Sequence, residues 1–191
     1  EIRSKDWRVT CAPHHNHQDT ANYEVASQLW FDQQLKGTLT LPATPQLNVD
    51  FNTKDRVPAV SVVPDESMPI LAVDVYYTRH GQMDGLKNDM TNTKNRFWHC
   101  APAARRGDRW LARLPLSNRD NPLWVYANVI YQLDDPVSFA GYYYRVGSSE
   151  TFTLSSLMPI FVGEDLKGAG VRATVKPSLL IETFEGDWEK E

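Results

Sequence analysis

Apolar residues recur along this chain at two spacings, and the change between them falls near residue 37. From Ala21 to Lys36, Val25, Leu29 and, more loosely, Ala26 and Phe31 recur at intervals that build one buried stripe on a helix. Asp19 or Thr20 is placed to cap its start. Lys36-Gly37 suits its end, a cation for the negative terminus followed by a residue that tolerates positive φ. Ahead of the helix, Val9-Thr10-Cys11-Ala12 reads as the end of a short buried strand, stopped by Pro13, which cannot donate to a ladder. His14, His15, Asn16 and His17 occupy the connecting loop.

Beyond Gly37 the period becomes two. Residues 38 to 45 read as a linker punctuated by Pro42 and Pro45. Leu47, Val49 and Phe51 then alternate with polar residues, as do Val60 and Val62. Leu71, Val73, Val75 and Tyr77 form a clearer strand, with Asp74 on its other face. A polar loop from Thr78 to Lys94 leads to a strand over Arg96–Ala101 that carries Phe97 and Trp98. Arg105-Arg106-Gly107-Asp108 predicts a hairpin turn into Trp110, Ala112 and Leu114. Leu123–Tyr131, LWVYANVIY, is apolar on both faces, which places it at the centre of a sheet. Asp134-Asp135-Pro136 reads as a break, after which residues 141–145 and 151–154 supply one or two more strands. Glu164 to Gly170 fits a short helix closed by Gly168 or Gly170.

About seven short strands with turns between them predict a mainly β chain. The expected architecture is an antiparallel immunoglobulin-like or fibronectin-III-like β-sandwich, preceded by a short strand–loop–helix segment. The immunoglobulin Cys…Trp…Cys spacing is missing, so strand pattern alone carries that expectation. The division is residues 1–40 for the N-terminal segment, 41–160 for the sandwich, and 161–191 for a short helix and a further strand. That last strand, Ser178 to Trp188, ends in Phe-x-Gly-x-Trp and resembles the opening strand of jelly-roll domains in carbohydrate-active and surface proteins. It implies that the natural protein continues.

Composition narrows the partners. The 41% hydrophobic share is enough to build a core, and the net charge of −4 argues against nucleic acid or an anionic membrane as the main partner. No apolar run approaches the roughly 20 residues of a membrane span. Cys11 and Cys100 are either free thiols or a pair; their spacing does not decide. No metal site or cofactor is expected. A zinc site needs three or four ligands in fixed geometry, and the histidines have no partner cluster. Asp84, Asp89, Asp134 and Asp135 read as solvated turns rather than as calcium ligands. Arg105, Arg106, Arg109 and Arg113 read as a charged hairpin, and the Arg106-Gly107-Asp108 string as its turn.

The order strand, His-bearing loop, closing helix over Val9–Gly37 resembles the C-terminal edge of secreted bacterial α/β-hydrolases of the acetyl-esterase and PhoPQ-activated pathogenicity-related type. The resemblance rests on Pro13, the histidine loop and Leu29-Trp30-Phe31-Asp32…Leu35-Lys36-Gly37. It implies that His17, or failing that His15, descends from the triad histidine. It also implies a secreted or cell-envelope parent with an upstream catalytic domain. The sequence departs from the family at His14, where asparagine is more usual. No Gly-x-Ser-x-Gly elbow occurs, so a triad needs a serine and a carboxylate from before Glu1.

The functional expectation is therefore a non-catalytic accessory module of a larger secreted hydrolase or esterase, which braces the catalytic domain or binds its substrate. Two other readings stand beside it. One is part of an active serine esterase with His17 as base; the other is a stand-alone carbohydrate-binding module. For sugar contact the candidates are Tyr142, Tyr143, Tyr144 and Trp98, because exposed rings stack on sugar faces and their polar edges hold hydroxyls. Trp110 and Trp124 read as core. Polysaccharide is the expected external partner.

Overall fold

The segment that is apolar on both faces becomes the middle of the molecule. In a computed structural model, which describes residues 7–13, 21–79, 97–139 and 146–175, it opens a long strand, β7 (Leu123–Phe139). To place β7 in chain order, the strands before it are β1 (Gln46–Asp50), β2 (Ala59–Val63), β3 (Ile70–Thr78), β4 (His99–Pro102), β5 (Ala104–Arg106) and β6 (Arg109–Arg113). After it come β8 (Gly147–Ser155) and β9 (Ile160–Phe161). One sheet has the order β4-β3-β7-β8, with β9 following β8 on the same edge of β7. The other has the order β1-β2-β6-β5. All these pairings are antiparallel. The chain is thus mainly β, as expected.

Alternation along the strands directs one face of each sheet into a shared core. Val73, Val75 and Tyr77 of β3, Val125, Ala127, Val129 and Tyr131 of β7, and Phe152 and Leu154 of β8 join Val60, Val62 and Ala112 of the other sheet. Tyr131 stacks on Phe152 with ring centroids 5.2 Å apart. The two core tyrosines keep their hydroxyls satisfied: Tyr131 donates to Asp65 O and Tyr77 to Pro115 O, each at 3.1 Å. Trp110 packs against this core as expected, but Trp124 does not. Trp124 alternates with buried Val125 and pairs with Thr78, so it occupies the opposite face of its sheet.

The helix forms where the periodicity puts it. α1 (Ala21–Phe31) continues into a π-helical turn, Asp32–Lys36, and Gly37 ends it at φ 62° with its N–H on Asp32 O. Val25, Ala26 and Leu29 are buried, and α1 packs against β8 and β7. Phe31, read as part of the buried stripe, is 55% exposed instead, because the buried face narrows at the helix end. Near the other end of the chain, α2 (Gly163–Gly168) buries Leu166 in the same core and turns away at Gly170. Gly163 is there for space: a Cβ on it would stand 2.1 Å from Asp120 O.

Four further expectations change. Val9–Ala12 belongs to no regular ladder; it is a half-buried segment held by separate bonds. The linker before β1 is not idle, since Leu41 is buried and Leu39 packs on the core. Leu71 is 52% exposed, because the register slips between Ile70 and Ala72 and turns it out of the apolar row. Asp134-Asp135-Pro136 does not end its strand. Pairing with β8 lapses between Gln132 and Val137 and then resumes, so the three residues ride a bulge within β7. The expected strand over 141–145 and the tail strand from Ser178 lie outside the described residues.

If α1 is part of the sandwich, Leu29→Ala costs about 2–4 kcal/mol and shifts one cooperative urea transition seen by both far-ultraviolet dichroism and tryptophan fluorescence. Two separated transitions would mean that α1 docks without sharing the fold.

Candidate functional site

The core-facing row is only one side of β7. The other side carries Trp124, Tyr126 and Asn128, and Tyr126 and Asn128 are buried. Asn128 and its neighbour across the ladder, Ser155, bind the N-terminal segment. The Cys11 N–H donates to Ser155 Oγ at 2.7 Å, and Ser155 Oγ donates to Asn128 Oδ1 at 2.6 Å. Asn128 Nδ2 then donates back to Cys11 O at 3.0 Å. Both backbone groups of Cys11 are thus taken up by side chains. The Ser155 N–H adds a bond to Val9 O at 2.7 Å, and Thr10 Oγ1 donates to Thr153 O at 3.0 Å. Buried polar groups that close on one another in this way fix a single docking geometry.

Beside this clasp lies an aromatic cluster. Tyr76 of β3 stacks on Tyr126 with centroids 5.5 Å apart, and Trp98 meets Tyr126 edge to face at 4.9 Å. Cys100 is paired with Tyr76 across the ladder, and their side chains share a hydrogen bond. Asp74, one step along β3 on the same face, pairs with Asn128. Burial pushes Asp74 above the usual carboxyl range and raises both thiols, Cys11 and Cys100. Burial likewise pushes the Tyr76 hydroxyl up to about 12. The whole group is therefore held towards its neutral forms. Both cysteines are free.

Two clefts open elsewhere. One, of about 380 Å³, lies where the N-terminal segment, α1 and β8 meet, with Trp7, Trp30 and Phe31 among its walls. The second, of about 550 Å³, lies between β4 and β6 and is lined by Tyr77, Pro102, Leu111 and Arg113.

Of the residues singled out by sequence, His17, His15, Tyr142, Tyr143 and Tyr144 lie outside the described residues, as do Asp84 and Asp89. Trp98 is described, half-buried against Tyr126 rather than standing free on the surface. Asp134 and Asp135 are exposed on the β7 bulge. Among the described residues no three His, Cys, Asp or Glu side chains converge as metal ligands. Arg106-Gly107-Asp108 is the exposed tip of the β5–β6 hairpin, as the turn chemistry implied. The cleft between α1 and the N-terminal segment escaped the sequence reading, because Trp30 and Phe31 look like ordinary helix-face residues. The one usable signal was a pair of adjacent aromatics that cannot both face inward.

No known family model, curated protein or solved structure matches this chain.

Two outcomes test the electrostatics of the outer face. A carboxyl whose pKa is raised on folding stabilises the fold below its unfolded value, near pH 4, and this contribution is lost as pH rises through the folded value. Asp74→Asn therefore raises the Tm at pH 7, and the advantage shrinks below pH 4; a lower Tm at pH 7 would show that the charge is used. Second, Cys100 reacts with a thiol-disulfide reagent before half-buried Cys11, and both react more slowly at pH 7.5 than free cysteine. Mass mapping of the modified residues checks the order.

Proposed function

We propose that this chain is a non-catalytic accessory β-sandwich serving a secreted hydrolase, and that it works by holding rather than by reacting. The carrying observation is the closed hydrogen-bond clasp by which Asn128 and Ser155 hold the N-terminal segment on the sandwich. A nucleophilic cysteine site needs a lowered thiol pKa. Here burial raises both thiols, Cys11 and Cys100, which lie beside stacked rings and a closed hydrogen-bond clasp. That is the chemistry of a packed surface.

Strand order supports the finer reading of an immunoglobulin-type sandwich. Naming the first seven-strand framework in chain order, β1, β2, β6 and β5 correspond to A, B, E and D, and β3, β7 and β8 to C, F and G. β4 then occupies the position next to C. The docked N-terminal segment supports a bracing role: α1 and residues 9–12 are keyed into the sandwich, so force on that segment passes directly to β7 and β8. In the proposed parent, the catalytic domain lies upstream and polysaccharide is the external partner.

The isolated chain is expected to leave 4-nitrophenyl acetate hydrolysis at the buffer rate. Turnover that disappears in His17→Ala would overturn the accessory reading and make the chain part of an esterase site.

A further inference from the structure

The cleft between the N-terminal segment and α1 has walls of two kinds. Trp30 and Phe31 meet at 79° with centroids 5.6 Å apart, so they form a corner rather than a flat platform. Trp7 adds a second indole, and buried Ala26 and Leu154 close the floor. The remaining lining is polar: Arg8, Thr10 and Ser27. Arg8 is not a swinging side chain. Its Nε, Nη1 and Nη2 donate to Pro42 O, Trp7 O and Leu41 O. Thr10 spends its hydroxyl proton on Thr153 O, which fixes its oxygen and leaves lone pairs for an incoming donor. The cleft is thus held open by bonds made to the backbone, and its volume of about 380 Å³ is within the range of small-molecule sites.

A ligand that fits both walls has apolar faces and hydroxyl edges on one compact ring. An acyl chain would cover the Thr10 oxygen without a replacement bond. A pyranose ring satisfies both: its C–H face lies on an indole and its hydroxyls reach the polar wall. We propose that this cleft is a carbohydrate site that takes the terminal ring or two of an oligosaccharide. The site is separate from the Trp98 cluster, and it rests on the accessory-module reading in that it supplies the module's substrate contact.

Calorimetric titration of the full chain with cellohexaose, xylohexaose and mannohexaose tests it. At least one is expected to bind, and Phe31→Ala, at an exposed position that does not threaten the fold, is expected to weaken that binding about three- to tenfold. Trp30→Phe, which keeps the core contact, should weaken it similarly, whereas Trp98→Ala should leave it unchanged. Binding that is lost in Trp98→Ala but kept in Phe31→Ala would overturn this site and leave the accessory role standing. No binding of the three sugars, or Phe31-dependent binding of a fatty acid in their place, would overturn the proposal outright. Ester turnover by the same preparation would instead strike the accessory reading itself.

Discussion

A strand that is buried on both faces needs two covers, and most of this structure follows from how β7 obtains them. The inner cover is the second sheet, delivered by ordinary alternation on β2 and β6. The outer cover is assembled from dissimilar parts. Trp98 and Tyr76 lie against Tyr126, while the N-terminal segment is fastened over Asn128 and Ser155. The first cover is nonspecific and tolerates exchange among apolar residues of similar size. The second depends on donors and acceptors matched one to one, where loss of a single partner strands another in a buried place.

This division explains which parts of the fold were legible in the sequence. Period-two runs such as Val60/Val62 and Val73/Val75/Tyr77 announce a half-buried strand directly, and LWVYANVIY announces burial on both faces. The Lys36-Gly37 end and the Arg106-Gly107-Asp108 turn are equally local signals. What failed was non-local. Asp134-Asp135-Pro136 has the composition of a break, yet β8 on one side and the core on the other carry the strand past it as a bulge. Leu71 has the right parity and the wrong exposure, because parity is reset by a register slip that no residue type marks.

The candidate site was less legible, for a related reason. Trp98 was visible as an aromatic on a strand, but its contact with Tyr126 depends on which strands become neighbours. Asn128 and Ser155 are small polar residues in apolar company, which sequence alone ranks as unremarkable; only pairing across β7 and β8 makes them a receptor for Cys11. The walls of the cleft come from residues 7–10, 26–31 and 154, three regions that chain order keeps apart.

The short β5 has a consequence for how the molecule meets copies of itself. An exposed sheet edge is a row of unpaired backbone groups that can recruit a strand from another chain. β5 ends its sheet after only Ala104–Arg106, all exposed, with two arginines and one of them ion-paired to Glu66 at 2.8 Å. A strand arriving there would find three residues of ladder and a like-charged guanidinium row in its own copy. That sheet edge is therefore closed to fibril-like growth by electrostatics and brevity, with no other element among the described residues laid over it to do the shielding.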